Sequence, residues 1–156
     1  MINNIETFLT YENIYLMANW GVLPFWIMLI ATPNNVLTKI LVHSVVAPAL
    51  LSSAYILIAY KIYLNGDFFG AFDLYMGLEN LYAVFSDESF LLIFWLHFLS
   101  ISLFTGTWIV RDSNKYMMSR ILVILSLILT YFSGPVGLVI YWFFRIFFAK
   151  KISFND

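Results

Sequence analysis

The chain has 156 residues, 62% of them apolar and 11% charged, where soluble domains average roughly 45–50% and 25%. A domain this small buries only about two-thirds of its surface, so a mean hydropathy of +0.87 would leave too much apolar area in water, and a bilayer is the solvent that fits. Eight basic against nine acidic residues exclude a nucleic-acid binder, whose affinity rests on clustered Lys and Arg. The lack of cysteine excludes a disulfide framework, a thiolate nucleophile and a cysteine-held metal.

About twenty mainly apolar residues cross the hydrocarbon core of a bilayer. Four windows of that kind predict an all-α, polytopic membrane protein, a single membrane domain with four transmembrane helices at about 14–32, 37–63, 89–110 and 120–146. The residues before the first window include Glu6 and Glu12 but no Lys or Arg, which is not the pattern of a standard signal or transit peptide. The expectation is a bacterial chain, or one whose leader has been removed. The first span closes at Thr32-Pro33-Asn34-Asn35, all turn formers. Lys39 and Lys61 stand near the ends of the second, where they snorkel toward the interface. Pro24, Pro48 and Gly134-Pro135 each free backbone groups that lipid cannot satisfy, so those faces are expected against neighbouring helices. Between the second and third spans, Phe68, Phe72, Tyr75, Leu78, Tyr82 and Phe85 recur at three- and four-residue steps through 67–86, interrupted by Asp67, Asp73 and Glu79. This pattern predicts a short interfacial helix, apolar side down, or a folded cap packed on the spanning helices.

With four spans, both termini and the 67–86 segment share one side with Lys61, Arg145, Lys150 and Lys151, while Lys39, Arg111, Lys115 and Arg120 occupy the other. So even a division leaves the positive-inside rule without a preferred side. The acidic interfacial segment would be repelled by anionic cytoplasmic lipid, which sets both termini outside the cytoplasm, in what is expected to be a bacterial inner membrane.

Ionisable groups at membrane depth are costly and are functional candidates by default. His97 is the main one, a candidate catalytic acid or base. At 100° per residue, Ser100, Trp108 and Arg111 share its stripe and Asp112 and Thr105 flank it, so Ser100, Trp108, Arg111 and Asp112 form a candidate ligand-binding face. That stripe is expected toward the bundle interior or an interhelical cleft. The competing reading gives His97 only a packing hydrogen bond. Ser102 and Gly106, four apart on the other side, are a small-xxx-small pair that admits a close helix neighbour, and Thr130 and Gly134 repeat the pattern. Gly134-Pro135 with Gly137 predicts a kink or break, absorbed by packing or opened to a ligand. His43, close to Lys39, reads as structural. Neither HExxH, GxSxG, a Walker loop nor a GxGxxG occurs. Two histidines, with the acids confined to termini and loops, cannot build a His-rich di-iron centre, and neither a metal site nor a cofactor is expected.

Three blocks, LPFWIMLIATPNNVLTK (Leu23 to Lys39), FWLHFLSISLFTGTWIVRD (Phe94 to Asp112) and LTYFSGPVGLVIYWFFR (Leu129 to Arg145), resemble the abscisic acid deficient 4-like membrane proteins over about residues 14–148. The most specific parts are Trp95, His97, Leu103 and Phe104, then Gly134, Pro135, Val136 and Gly137. Plant members of that family are required for neoxanthin formation from violaxanthin. The family commonly has an aspartate immediately before Leu-Phe, where this chain has Ser102, whereas Asp112 matches the family's later aspartate. The resemblance implies an isomerase acting on an epoxidised xanthophyll, which needs an acid near the epoxide oxygen and a base near the departing proton. His97 and Asp112, 15 positions apart and thus about 22 Å apart on a straight helix, cannot serve one reacting centre. Asp112 is therefore expected to pair with Arg111 or to orient a polar ligand end group. The alternative function is a non-catalytic membrane module that binds a long apolar ligand or a partner protein, in keeping with an aromatic content of 20%. The expected partners are the lipid bilayer and a carotenoid or other long apolar molecule.

Overall fold

The computed structural model describes residues 9–44, 46–64 and 68–149, and every regular element among them is helical. In chain order these are α1 (Tyr11–Ala31), α2 (Val36–Leu41), α3 (Val46–Leu64), a 3₁₀ segment (Phe68–Tyr75), α4 (Leu78–Phe85), α5 (Glu88–Lys115), α6 (Arg120–Ser133) and α7 (Pro135–Ala149). Three stretches are long and apolar enough to cross a membrane: Tyr11–Ala31, Val36–Leu64 and Glu88–Lys115. The fourth expected span is instead two helices of 14 and 15 residues. At 1.5 Å per residue each is about 21–22 Å long, short of a hydrocarbon core about 30 Å thick.

Local chemistry sets the helix ends. Thr10 opens α1, its Oγ1 accepting from the Asn13 N–H at 3.2 Å and its carbonyl from the Ile14 N–H at 3.0 Å. Asn35 caps α2 through Oδ1, which accepts from the Leu37 N–H at 2.9 Å. Asp87 caps α5, with Oδ1 accepting from the N–H groups of Ser89 (2.9 Å) and Phe90 (3.3 Å) and from the Ser89 hydroxyl. Pro24 does not face a neighbour as expected. The buried stripe of α1 runs Ile14, Ala18, Val22, Trp26, Leu29, and Pro24 is exposed because two positions from Val22 and from Trp26 is the far side of a 3.6-residue turn.

The chain divides into two compact units, Met1–Gly21 with Ala49–Ser100, and Val22–Pro48 with Ile101–Asp156. In the first, α5 buries Ser89, Leu92, Leu96 and Leu99 and α3 buries Leu51, Ile58 and Ile62. The Trp95 indole N–H donates to Asn19 Oδ1 at 2.8 Å. Lys61 Nζ donates to the Leu9 carbonyl at 3.2 Å and lies 5.8 Å from the Tyr11 ring centre. The expected interfacial helix is two short helices broken at Gly77, whose φ of 151° favours glycine; Asp67 lies outside the described residues. Phe69, Phe72, Tyr75, Leu78 and Tyr82 are exposed, while Leu74, Val84 and Phe85 face a cavity shared with α3 and α5. The segment thus has one side packed as a cap and an apolar side left open.

In the second unit, α5 continues its seam through Leu103, Gly106, Val110 and Ser113 and also buries Ser102, Thr107 and Ile109. Gly134, at φ 51°, ends α6 with its N–H donating to the Thr130 carbonyl at 2.8 Å, and Pro135 takes the first position of α7, where its missing N–H costs nothing. The chain then folds back. A Cβ built on Gly137 would lie 2.2 Å from the Thr130 nitrogen and 2.5 Å from the Ser126 carbonyl oxygen, although residues 126 and 137 would be about 16 Å apart in one straight helix. α6 and α7 are therefore an antiparallel hairpin. Both of its open ends lie by the C-terminal end of α5 and the turn after α1: Arg120 Nη2 donates to the Ala31 carbonyl at 2.7 Å, Asn114 Nδ2 donates to Asn34 Oδ1 at 2.9 Å, and Arg145 reaches Asp112. His43 Nε2 donates to the Pro33 carbonyl at 3.1 Å, a structural tie across the same turn.

Candidate functional site

His97 stands on α5 in the first unit, one position round from the buried Leu96, and is exposed. Its imidazole borders a cavity of about 220 Å³ that is lined mainly by apolar groups, among them Ile62 from α3, Leu74, Phe85 from α4 and Phe94 from α5. Tyr55 from α3 is the other polar side chain on its wall, with its ring centre 6.4 Å from that of His97. The small Ala59 of α3 also lines the cavity, together with Val84 and Phe85 of α4.

The stripe expected through His97 does not act as one face. Ser100 is half-buried and is not on the cavity wall. Arg111 is exposed. Trp108 belongs to the second unit, where its ring meets Tyr141 edge-on at 5.6 Å. The reason lies in the packing of α5, whose buried positions Leu92, Leu96, Leu99, Leu103, Gly106, Val110 and Ser113 alternate steps of four and three as in a coiled-coil seam. A stripe counted from His97 runs beside that seam and not along it.

Asp112 enters a different constellation, in the second unit. Its Oδ2 accepts from the Arg145 Nε–H at 2.6 Å and from the Tyr141 hydroxyl at 2.6 Å. Arg145 Nη2 donates to the Tyr116 hydroxyl at 3.2 Å, and the guanidinium carbon lies 4.8 Å from the Tyr116 ring centre. Arg145 and Tyr141 are 1% and 0% exposed. Arg145, not Arg111, is thus the partner of Asp112. The cluster latches α7 to α5. Hydropathy places Arg145 at a span end and passes over Tyr116 and Tyr141. The signal that could have found them is spacing: Trp108, Asp112 and Tyr116 follow at i, i+4, i+8 and Tyr141 and Arg145 at i, i+4, two matching polar-aromatic ridges.

Of the residues assigned to packing, Pro24 and Pro135 are exposed and the other four are buried. Ser102 is buried, and a Cβ on Gly106 would sit 2.8 Å from Cη2 of Trp26, so α1 and α5 approach within this unit as near as a glycine allows. Gly134 and Gly137 are buried and Pro135 is exposed. Among the described residues, no group of three or more His, Cys, Asp or Glu could hold a metal ion.

A family model described as ABA DEFICIENT 4-like matches residues 13–141. The chain belongs to the ABA DEFICIENT 4-like family. No curated protein and no solved structure matches it. In this ABA DEFICIENT 4-like chain the most specific motifs divide their work. Trp95 bonds Asn19, Leu103 is core, Phe104 is exposed and His97 borders the cavity, while Gly134 to Gly137 make the hairpin turn and its first contact.

Proposed function

We propose that the chain is a multi-pass protein of a bacterial inner membrane whose His97 cavity takes the end group of a carotenoid or a similarly long apolar ligand. The observation that carries this reading is an aromatic and aliphatic cavity with two polar groups, Tyr55 and His97, on its wall. Pockets that bury a whole drug-sized ligand measure about 300–1,000 Å³. A volume of about 220 Å³ suits one cyclic end group, with the polyene lying along the apolar flank of the helices. The family resemblance supplies the xanthophyll class.

The two polar groups also define what chemistry the cavity supports. Isomerising an epoxide end group to an allene moves one proton off carbon and one onto oxygen, with no net oxidation. His97 as the base and the Tyr55 hydroxyl as the acid stand near enough to serve one end group, as His97 and Asp112 do not. The test is purification in mild detergent from a carotenoid-producing host, with bound pigment identified by mass spectrometry and visible absorbance. Wild type retains pigment, and Ala59→Trp, which fills the cavity, loses it at unchanged thermal stability. Retention of pigment by Ala59→Trp overturns the reading. If the cavity is catalytic, His97→Gln keeps pigment but no longer converts an added epoxy-xanthophyll; a wild type that binds without conversion identifies a binding module.

A further inference from the structure

We propose that the Arg120–Ala149 hairpin enters and leaves the bilayer from one side, and that this side rests on the anionic headgroups of the cytoplasmic leaflet. The inference rests on the membrane reading above but on no ligand. Its first support is geometric. α6 and α7 are each too short to cross, they turn back at Gly134, and Arg120 and Arg145 both lie by the C-terminal end of α5. The tip, Ser133-Gly134-Pro135, lies one helix length from that end, about 21 Å, which is inside a hydrocarbon core about 30 Å thick and short of its far edge. Non-helical backbone at such depth is tolerated where protein surrounds it. Gly134 is buried, and its N–H is bonded to Thr130.

The second support is charge. If α1, α3 and α5 cross and the hairpin does not, the turn after α1, the turn between α5 and α6 and the C-terminus share one side. That side then carries Lys39, Arg111, Lys115, Arg120, Lys150 and Lys151, together with Arg145 paired to Asp112, and the opposite side carries Lys61 alone. Glu6, Glu12, Asp67, Asp73, Glu79, Asp87 and Glu88 all fall on the side of Lys61. The even division that four crossings produce becomes a strong basic excess, and such an excess marks the cytoplasmic face. The N-terminus is then outside and the C-terminus inside.

The natural chain has no cysteine, so single-cysteine variants of the full chain report sidedness directly. Asn4→Cys, Ser119→Cys, Ser133→Cys and Asn155→Cys are labelled with a membrane-impermeant maleimide in intact cells and in inverted vesicles. Asn4→Cys should react only from outside, Ser119→Cys and Asn155→Cys only from the cytoplasmic side, and Ser133→Cys from neither. Labelling of Asn155→Cys on the same side as Asn4→Cys shows that residues 120–149 cross and overturns the hairpin. Reaction of Ser133→Cys from outside does the same. A cytoplasmic Asn4→Cys overturns the leaflet assignment. Adding Lys115→Gln, Lys150→Gln and Lys151→Gln to Asn4→Cys should lower outside labelling at least twofold by mixing orientations, and unchanged labelling overturns the charge argument. None of these readouts depends on pigment, so loss of the ligand reading leaves them intact.

Discussion

Arg145 shows how a charge is carried inside an apolar unit. Its guanidinium donates to Asp112 and Tyr116 and lies over the Tyr116 ring, and Asp112 completes its shell with the Tyr141 hydroxyl. Removing one member of such a buried pair leaves the other unpaired and costs about 3–5 kcal/mol, whereas replacing both with apolar groups of similar volume is often neutral. Arg145→Met and Asp112→Leu should therefore each lower thermal stability strongly in detergent, and the double variant should recover most of the loss. A double variant as unstable as the singles would mean that the cluster does more than pair charge. Glycine makes a second contrast. At Gly137 a new Cβ meets backbone, at Gly106 it meets the end of the Trp26 ring. Gly137→Ala should cost more than Gly106→Ala in chemical or thermal unfolding, with overpacking on the order of 1–3 kcal/mol as the guide. The sequence marked both glycines and Asp112, but it pointed Asp112 to its neighbour Arg111 or to a ligand end group, because partners 33 positions apart appear only once a helix has turned back.

Among the helices, α5 was the most legible. A charge-free window bounded by Glu88 and Arg111 located it, and its seam of alternating four- and three-residue steps is written in Leu92, Leu96, Leu99 and Leu103. What hydropathy missed was the choice of face, since in so apolar a helix every stripe is hydrophobic and small residues such as Gly106 decide which one packs. The start of α5 is set by Asp87, and this gives a pH-dependent prediction outside the apolar stretch. The Ser89 hydroxyl, with the N–H groups of Phe90 and Ser89, holds the Asp87 carboxyl below its ordinary 3.8, against an opposing contribution from desolvation. The folded state thus favours the ionised cap. Its contribution is complete above the unfolded value near 4 and is lost as pH falls through the lower folded value. Asp87→Ala should cost about 0.5–2 kcal/mol at neutral pH. Asp87→Asn should retain most of the capping while removing this acid sensitivity, measured as thermal stability between pH 6 and pH 3. An Asp87→Asn profile that parallels wild type throughout would show that the cap is not the titrating group.

The membrane-type character of the chain was legible from composition, its helices from apolar windows of span length, which the described residues match, and the number of long apolar helices was legible except at its end. Residues 120–146 satisfy every hydropathy criterion for a span, and hydropathy carries no information about reversal. The reversal depends on Gly134 adopting φ 51°, on Pro135 starting a new helix, and on the absence of a Cβ at Gly137 against Thr130 and Ser126. A side chain at such a φ costs an L-residue roughly 1–2 kcal/mol, so Gly134→Ala with Pro135→Ala penalises the turn and restores the donor that lets a helix continue. A continuous helix over 120–149 would be about 45 Å long and would carry Arg145 about 37 Å from Arg120, out of reach of Asp112. The variant should therefore be destabilised, and cysteine labelling at Asn155→Cys in the same background should shift toward the opposite side of the membrane. Hairpin and ion pair also depend on one another, so their losses should not add. In a background already carrying Asp112→Leu and Arg145→Met, the pair at 134 and 135 should cost clearly less than in wild type, because the contact it would break is already gone. Equal costs in the two backgrounds would mean that the fold-back holds without its latch.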